Sequence, residues 1–301
     1  MKILNFGSLN IDYVYAVDHF IRPGETEAAT SRDCIAGGKG LNQSIALARA
    51  GAEVFHAGSI GKTDGLFLKN FLKKNKVDIS FVRETDYATG HTIIQVDKTG
   101  NNCILLYGGA NIHNSPEFID MVLKDFTADD FIVLQNEINN VPYIIEEAHK
   151  KGMKIFFNPS PITDTVEKIN LSYIDCFLLN EIEAGDICRT DETAADPLLD
   201  SLQKKFPGAE IVLTLGKKGV IYAKGSSRYS HGIYDTPVVD TTAAGDTFTG
   251  YYIACSSKGY SIEDSLRLAS VASSLSVSQK GAAPSIPVLA EVQTAKLKPV
   301  S

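Results

Sequence analysis

Asp246 stands directly after Ala243, Ala244 and Gly245, three residues with almost no side chain, in the string Asp240-Thr241-Thr242-Ala243-Ala244-Gly245-Asp246. Downstream, Phe248, Tyr251, Tyr252, Ile253 and Cys255 predict a largely buried helix over 246–257. The three small residues then fall at its first turn. A helix start carries unpaired N–H groups and roughly half a positive charge. With no side chains over them, these amides suit a phosphate or the negative charge that builds up in a transition state. A carboxylate at the same place can take a proton from an attacking hydroxyl. An anion hole beside a base points to phosphoryl transfer to an alcohol. The string also fits an ordinary helix cap, with Thr241 or Thr242 capping and Asp246 complementing the dipole.

Further polar groups gather just past short apolar runs. The run 2–6 ends at Gly7-Ser8-Leu9-Asn10-Ile11-Asp12. Asn10 and Asp12 are two residues apart, so in an extended segment they face the same way. A carboxylate there can accept two hydrogen bonds, which suits vicinal hydroxyls, although Asn and Asp also make turns. Glu137 follows the run 131–135, Asn158 follows 154–157, Asn180-Glu181-Ile182-Glu183 follows 176–179, and Thr214-Leu215-Gly216-Lys217-Lys218-Gly219 ends 210–215. In an open α/β sheet the carboxyl ends of the strands border the usual ligand crevice. Five such clusters on one edge define a site.

The glycine-rich stretch Gly37-Gly38-Lys39-Gly40-Leu41-Asn42-Gln43 leads into a helix expected over 44–50. Its three glycines let the backbone approach a ligand, and Asn42 can bond hydroxyls from the helix start. It is not a dinucleotide fingerprint, because the third glycine would fall at Gln43, and it is not a phosphate-binding P-loop. Gly61-Lys62-Thr63 has a P-loop ending, but the leading glycine would fall at His56, so it is expected to be the loop after a strand over 54–57.

The elements that must hold these groups alternate. Beyond those already given, a strand is expected over 219–223 and helices over 66–74, 116–125, 141–151, 194–206 and 262–279. Short apolar strands between helices predict an α/β fold, a central mostly parallel sheet flanked by helices on both faces. Two stretches break the alternation. Residues 13–35 read as a hairpin-like excursion, and 89–96 with 103–107 read as two strands joined by a glycine-containing loop. Together they predict a small β-sheet acting as a lid, a dimer contact or both, inserted at about 13–35 and 89–108 into one domain over 1–301. The tail after Pro287 is expected to be peripheral.

Composition narrows the function classes. The 301 residues are 44% hydrophobic and 22% charged, an ordinary globular balance, and the net charge is -7. An acidic chain without a basic run argues against nucleic acid or an anionic membrane as partner. No apolar run approaches the about 18 residues needed to span a bilayer, and the start does not read as a signal peptide. Cys34, Cys103, Cys176, Cys188 and Cys255 form no C-x-x-C pair. Cys103, Cys176 and Cys255 lie in apolar runs and are expected to be buried. Reduced thiols fit a cytoplasmic protein. The six histidines have no metal spacing and are read as surface or structural.

Taken in order, these motifs resemble the ribokinase (PfkB-type) family of sugar kinases. Gly37 to Gln43 resembles its first signature and Asp240 to Asp246 its second. Asn180-x-x-Glu183, Thr214-Leu215-Gly216-x-x-Gly219 and Lys280-Gly281-Ala282-Ala283-Pro284-Ser285 resemble three further family motifs. The likeness runs from Gly7 to about Pro287. The paired alanines of the second signature are more similar to the ribose-phosphorylating branch than to the fructose, nucleoside or phosphosugar branches.

The resemblance implies ATP-dependent phosphorylation of the primary hydroxyl of D-ribose, a small β lid, and a homodimer through that lid. It implies that Asn10, Asp12, Gly38, Lys39, Asn42 and Glu137 hold the sugar, that Asp246 is the base and that the amides of Ala243, Ala244 and Gly245 form the anion hole. Asn180, Thr214, Gly216, Gly219 and Gly245 would lie along ATP, with Glu183 near Mg2+. Ser270 occupies an adenine-pocket position that is often Asn in the family. A monovalent cation, K+, would be bound by Asp240, the Thr242 carbonyl, Ser276, Gln279, Gly281 and Ser285, an oxygen-only shell. Two other functions remain open: a kinase of fructose, deoxyribose or a nucleoside, and a sugar-binding regulator without catalysis.

Overall fold

The computed structural model describes residues 1–300. The chain starts with β1 (Ile3–Phe6), leaves for β2 (Asn10–Ala16) and β3 (Ser31–Gly37), and returns through α1 (Lys39–Arg49). Next come β4 (Val54–Gly61), α2 (Leu66–Lys74) and β5 (Asp78–Thr85), then a second departure into β6 (Gly90–Val96) and β7 (Asn102–Tyr107). Regular alternation follows: α3 (Pro116–Leu123), β8 (Phe131–Gln135), α4 (Val141–Lys150), β9 (Lys154–Asn158) and β10 (Cys176–Asn180). The last third holds α5 (Glu181–Cys188), α6 (Ala195–Lys205), β11 (Glu210–Thr214), β12 (Val220–Lys224) and β13 (Ser227–His231). It closes with α7 (Ala244–Ser257), α8 (Ile262–Val277) and α9 (Leu289–Thr294).

Nine strands form one sheet in the order β13-β12-β11-β10-β9-β8-β1-β4-β5. The seven from β11 to β5 are parallel, while β12 and β13 turn back antiparallel on the edge. The central strands are apolar at nearly every position because both faces are covered. Successive residues feed opposite cores. Val133, Leu178 and Val212 face the layer containing α1, α7 and α8, whereas Ile132, Leu179 and Leu213 face the layer of α3, α4, α5 and α6. The four excursion strands form a second sheet, in the order β3-β2-β6-β7.

Several expectations need correction. The strand at 54–57 continues to Gly61, so Gly61 ends a strand and Lys62 and Thr63 follow it. The helix expected from 44 begins at Lys39, which places Lys39 to Gln43 of the glycine-rich signature inside its first turns, after Gly37 ends β3 and Gly38 caps the helix. The strand β5, the helix α5 and the strand β13 were not foreseen. α5 is short and lacks a clean apolar stripe; its start is set by a capping box between Asn180 and Glu183, the pair read from sequence as a strand-end cluster. Cys103 is exposed rather than buried, because β7 is an edge strand exposed along its whole length. No helix among the described residues is long and apolar enough to cross a membrane.

Candidate active site

All seven parallel strands end on one edge. There β1, β8, β9, β10 and β11 deliver Ser8, Glu137, Asn158, Asn180 and Thr214, and the first turns of α1 and α7 come down beside them. The two helices meet at Gly250, where a Cβ would lie 2.4 Å from the Ala46 Cβ and 2.8 Å from the Leu47 N. One turn earlier on each helix, Asp246 faces Asn42, so the close crossing sets the reach between them.

Asp246 is buried, yet it lines a cavity of about 260 Å³. Its Oδ2 accepts from Asn42 Nδ2 and its Oδ1 from Gln43 Nε2, both at 2.9 Å. Behind Gln43 a buried chain of amides continues. Gln135 Nε2 donates to Gln43 Oε1 at 2.7 Å and to Asn5 Oδ1 at 3.0 Å. Asn5 Nδ2 donates to the Gly40 carbonyl and to Ser44 Oγ, both at 2.8 Å, and Ser44 Oγ meets His56 Nδ1 at 2.8 Å. Burial pushes the His56 imidazole down to about 3, so it ends the chain as a neutral ring. Both carboxylate oxygens of Asp246 are thus oriented by neutral donors fixed to one helix.

Beside Asp246, the amides of Ala243, Gly245 and Asp246 have no acceptor among the described residues, and the Ala244 amide has only a long 3.3 Å bond to the Thr241 carbonyl. Ala243 takes a left-handed conformation, φ 59°, costly for a residue with a Cβ, and its carbonyl accepts from Thr247 N and Thr247 Oγ1 at 2.8 Å. This turns the chain sharply into α7 and leaves the first amides facing the cavity. Lys39 lines the same cavity. Burial disfavours its ammonium, but the carboxylates of Asp246, Glu137 and Glu183 outweigh that and raise its pKa. Glu137 Oε2 accepts from Ser8 Oγ and, at 2.9 Å, from the Lys39 amide. Burial pushes the Glu137 carboxyl up against the pull of Lys39 and Ser8, and Asp246 adds to the rise.

The other residues implicated in sugar binding sit on the second sheet and its junction. Asn10 and Asp12 share a face of β2, as their spacing requires, but each has its own partner. Asn10 Oδ1 accepts from Asn111 Nδ2 at 2.7 Å, and Asp12 Oδ1 accepts from Thr92 Oγ1 at 2.6 Å. Burial raises the Asp12 pKa, partly opposed by the Thr92 hydrogen bond. Gly37 leaves room for this carboxylate, since a Cβ there would sit 1.9 Å from Asp12 Oδ2. Gly38 is the residue before α1. Asn42, implicated in the sugar site from sequence, gives its NH2 to Asp246, and its Oδ1 is buried with no partner among the described residues.

A larger cavity, about 600 Å³, shares Asn180, Thr214, Thr241, Ala244 and Gly245 with the small one. Gly216, Gly219 and Ser270 also line it, while Glu183 lines only the small cavity. Glu183 Oε2 accepts from the Asn180 amide at 3.0 Å and Asn180 Oδ1 accepts from the Glu183 amide at 2.9 Å, so this pair caps α5 as well as facing the cavities. Ile233, Val238, Phe248, Val277 and Val300 give the large cavity an apolar wall. Sequence reasoning missed this wall, because its residues come from a loop, two helices and the tail, with no shared spacing. Gln43, Gln135, Thr92 and Asn111 were also missed as partners of the site. Gln43 at least was visible as the last residue of the glycine-rich signature.

The residues implicated in K+ binding fall into two groups of contacts. Asp240 Oδ1 accepts from Thr242 N at 2.9 Å and Thr242 Oγ1 at 2.6 Å, and its Oδ2 accepts from Gly281 N at 2.9 Å. Burial would raise the Asp240 pKa, but these three donors and Lys280 hold it below its ordinary value. Ser276 Oγ and Ser285 Oγ meet at 2.8 Å, and Thr247 Oγ1, on the first turns of α7, donates to Ser276 Oγ at 3.3 Å. Gln279 joins only through its amide, which donates to the Ser276 carbonyl at 3.1 Å.

The "pfkB family carbohydrate kinase" model matches residues 1–289. The chain is similar to the ribokinase of Haemophilus influenzae, 34% identical over 294 residues covering 95% of each chain. It is similar to the ribokinase of Staphylococcus aureus, 35% identical over 301 residues covering 97% of this chain and 98% of that one. Among solved structures it is similar to Arabidopsis thaliana ribokinase complexed with ribose and ATP, with a TM-score of 0.86, 27% identity and 97% of each chain covered.

Proposed function

This chain belongs to the pfkB family of carbohydrate kinases, and we propose that it transfers the γ-phosphate of ATP to the primary hydroxyl of D-ribose, giving ribose 5-phosphate. The observation that carries the reading is the position of Asp246: a carboxylate held by two amides, beside unpaired helix-start N–H groups, in a polar cavity that opens onto a nucleotide-sized one. The ribokinases to which the chain is similar support D-ribose as acceptor.

In this reading ATP occupies the larger cavity, with its phosphates directed at the start of α7. Asp12 and Asn10 hold sugar hydroxyls and place the terminal one in line with the γ-phosphate. Asp246 takes that hydroxyl's proton as the new O–P bond forms. The Ala243, Ala244 and Gly245 amides and the Lys39 ammonium face the charge that spreads over the transferring group. Glu183 keeps its Oε1 without a hydrogen bond among the described residues, which fits it to hold Mg2+ directly or through water. Magnesium, when bound, supplies charge neutralisation to the phosphates. The Asp240 carboxylate, the Thr242 carbonyl and the Ser276 and Ser285 hydroxyls would supply oxygen ligands suited to K+, which would steady the loop that leads into the anion hole.

The second sheet serves as a lid that keeps water from competing for the phosphate. Its edge strand β7 exposes Ile104, Leu105, Leu106 and Tyr107, an apolar edge suited to a second copy of this chain, which supports a homodimer. Five free cysteines support a cytoplasmic protein.

ADP release measured against D-ribose, deoxyribose, fructose and nucleosides tests the acceptor. D-ribose should give the highest kcat/KM. A higher value with another acceptor would reassign the substrate, and sugar binding without ADP release would favour a regulator.

A further inference from the structure

The tail was expected to be peripheral, yet it closes one side of the larger cavity. Residues 298–300 run antiparallel to 233–235. Val300 N donates to the Ile233 carbonyl at 2.9 Å, Asp235 N donates to the Lys298 carbonyl at 2.8 Å, and Tyr234 faces Pro299. These two bonds flank the Tyr234–Pro299 pair, so Pro299 occupies a position that needs no N–H. Leu297, just before, packs with Tyr234 against the core under the sheet edge. The segment is therefore anchored in register, and the register brings Val300 to the cavity wall.

Val300 is 48% exposed, and it lines the cavity together with Ile233, Val238 and Val277. None of these four lines the smaller cavity that holds Asp246, which the larger one meets through Asn180, Thr214, Thr241, Ala244 and Gly245. A nucleotide with its phosphates at the start of α7 would bring its planar, largely apolar base against this apolar lining. We propose that residues 298–300 form the outer wall of the base pocket, with Val300 in contact with the face of the adenine. This rests on the reading of the cavity as the nucleotide site. Affinity for the nucleotide then depends on a segment outside every signature motif of the chain. Two backbone bonds hold that segment at the surface, and contact with a bound base adds to them and slows its opening.

Calorimetric titration with ADP, in the absence of sugar, tests this on the wild type, Val300→Ala and Val300→Asp. Hydrogen exchange of the wild-type amides at 233–235 and 298–300 is measured with and without ADP. Placing a charge where a half-exposed valine met the base should weaken ADP binding about fivefold or more, with Val300→Ala intermediate. Thermal midpoints should stay close to that of the wild type, and ADP should slow exchange at the paired segments. If the wild type fails to bind ADP, the nucleotide reading itself falls. If the wild type binds ADP while the folded variants bind equally well, or while exchange at both segments is indifferent to ADP, the wall proposal is overturned. The exchange result decides the matter even if a variant does not fold.

Discussion

Gly250 approaches Ala46 so closely that any side chain would displace one helix from the other: a Cβ would meet the Ala46 Cβ at 2.4 Å and the Leu47 N at 2.8 Å. Neither neighbour can rotate away. Alanine would gain up to about 1 kcal/mol of helix propensity, but overpacking at such a contact costs about 1–3 kcal/mol. Gly250→Ala should therefore lower the thermal midpoint, by up to about 5 °C for a chain of this length. It should also reduce kcat, because Asp246 reaches Asn42 one turn along the same interface. An unchanged midpoint with unchanged kcat would show that the crossing does not set the site.

Asp246→Asn removes the proposed proton acceptor and keeps the shape. The fold has a place for the new NH2, since Asn42 Oδ1 is buried beside it with no partner. Ribose and ADP binding, read by calorimetry, should persist while kcat falls by about 10²–10⁴-fold. Turnover within tenfold of the wild type would remove Asp246 as the base.

In the proposed sugar site, Asp12 would trade stability for binding. Its folded-state pKa is raised by burial, so the folded chain holds that proton more tightly than the unfolded chain does. Stability therefore falls as pH rises from the ordinary value of 3.8 through the raised one, and at neutral pH the ionised group carries the full penalty. Asp12→Asn removes the charge and still accepts from Thr92. The variant should be more stable than the wild type at pH 7 and no more stable at pH 3, while its sugar KM rises about 10- to 100-fold. Thermal melts at both pH values and initial rates against sugar and ATP check it, and an equal rise in KM for both substrates would argue that Asp12 does not act on the sugar.

How much of this could be read from the residues follows from how far apart in sequence the interacting groups lie. Apolar runs broken by glycine and polar clusters marked the central strands, because those strands are buried on both faces and the pattern is local. β5 and β13 are edge strands with mixed polarity, and they carry no such signal. At the site, the amides at the start of α7 and the residues around Asp246 were legible because one short string holds them. The partner of Asn10, a side chain 101 residues away, was not legible, and neither was the amide chain from Gln43 to Asn5. Asn42 and Glu183 show a further limit: a residue type can be recognised as polar and important while the atom it bonds stays hidden. The apolar wall of the larger cavity was invisible for the same reason, since Val300 reaches Ile233 only through backbone pairing.

Potassium should activate the enzyme. Asp240 is held ionised by Thr242 and Gly281, and the loop it ties leads directly to Ala243. Replacing potassium by sodium at constant ionic strength should lower kcat several-fold, and Asp240→Ala should abolish the difference. Rates indifferent to the cation in the wild type would remove the cation from this site.

Gln43 would act through Asp246, the proposed base, and a pH profile separates that role from packing. Its Nε2 lies 2.9 Å from Asp246 Oδ1, and it also donates to Asn158 Oδ1 at 3.2 Å. Gln43→Glu places a second carboxyl at nearly the same distance with little change of shape. Two carboxyls so close share a proton, and the pair gives up its last proton only at a higher pH than an isolated group. Transfer requires Asp246 to be free to accept a proton, so the acid limb of kcat/KM should move to higher pH in this variant. Gln43→Leu provides the contrast: it breaks the amide chain, lowers stability and kcat, and adds no titrating group, so its acid limb should stay where the wild type has it. An unmoved limb in Gln43→Glu would mean either that Gln43 does not orient the base or that Asp246 is not the group whose ionisation the profile reports, and the Asp246→Asn measurement distinguishes the two.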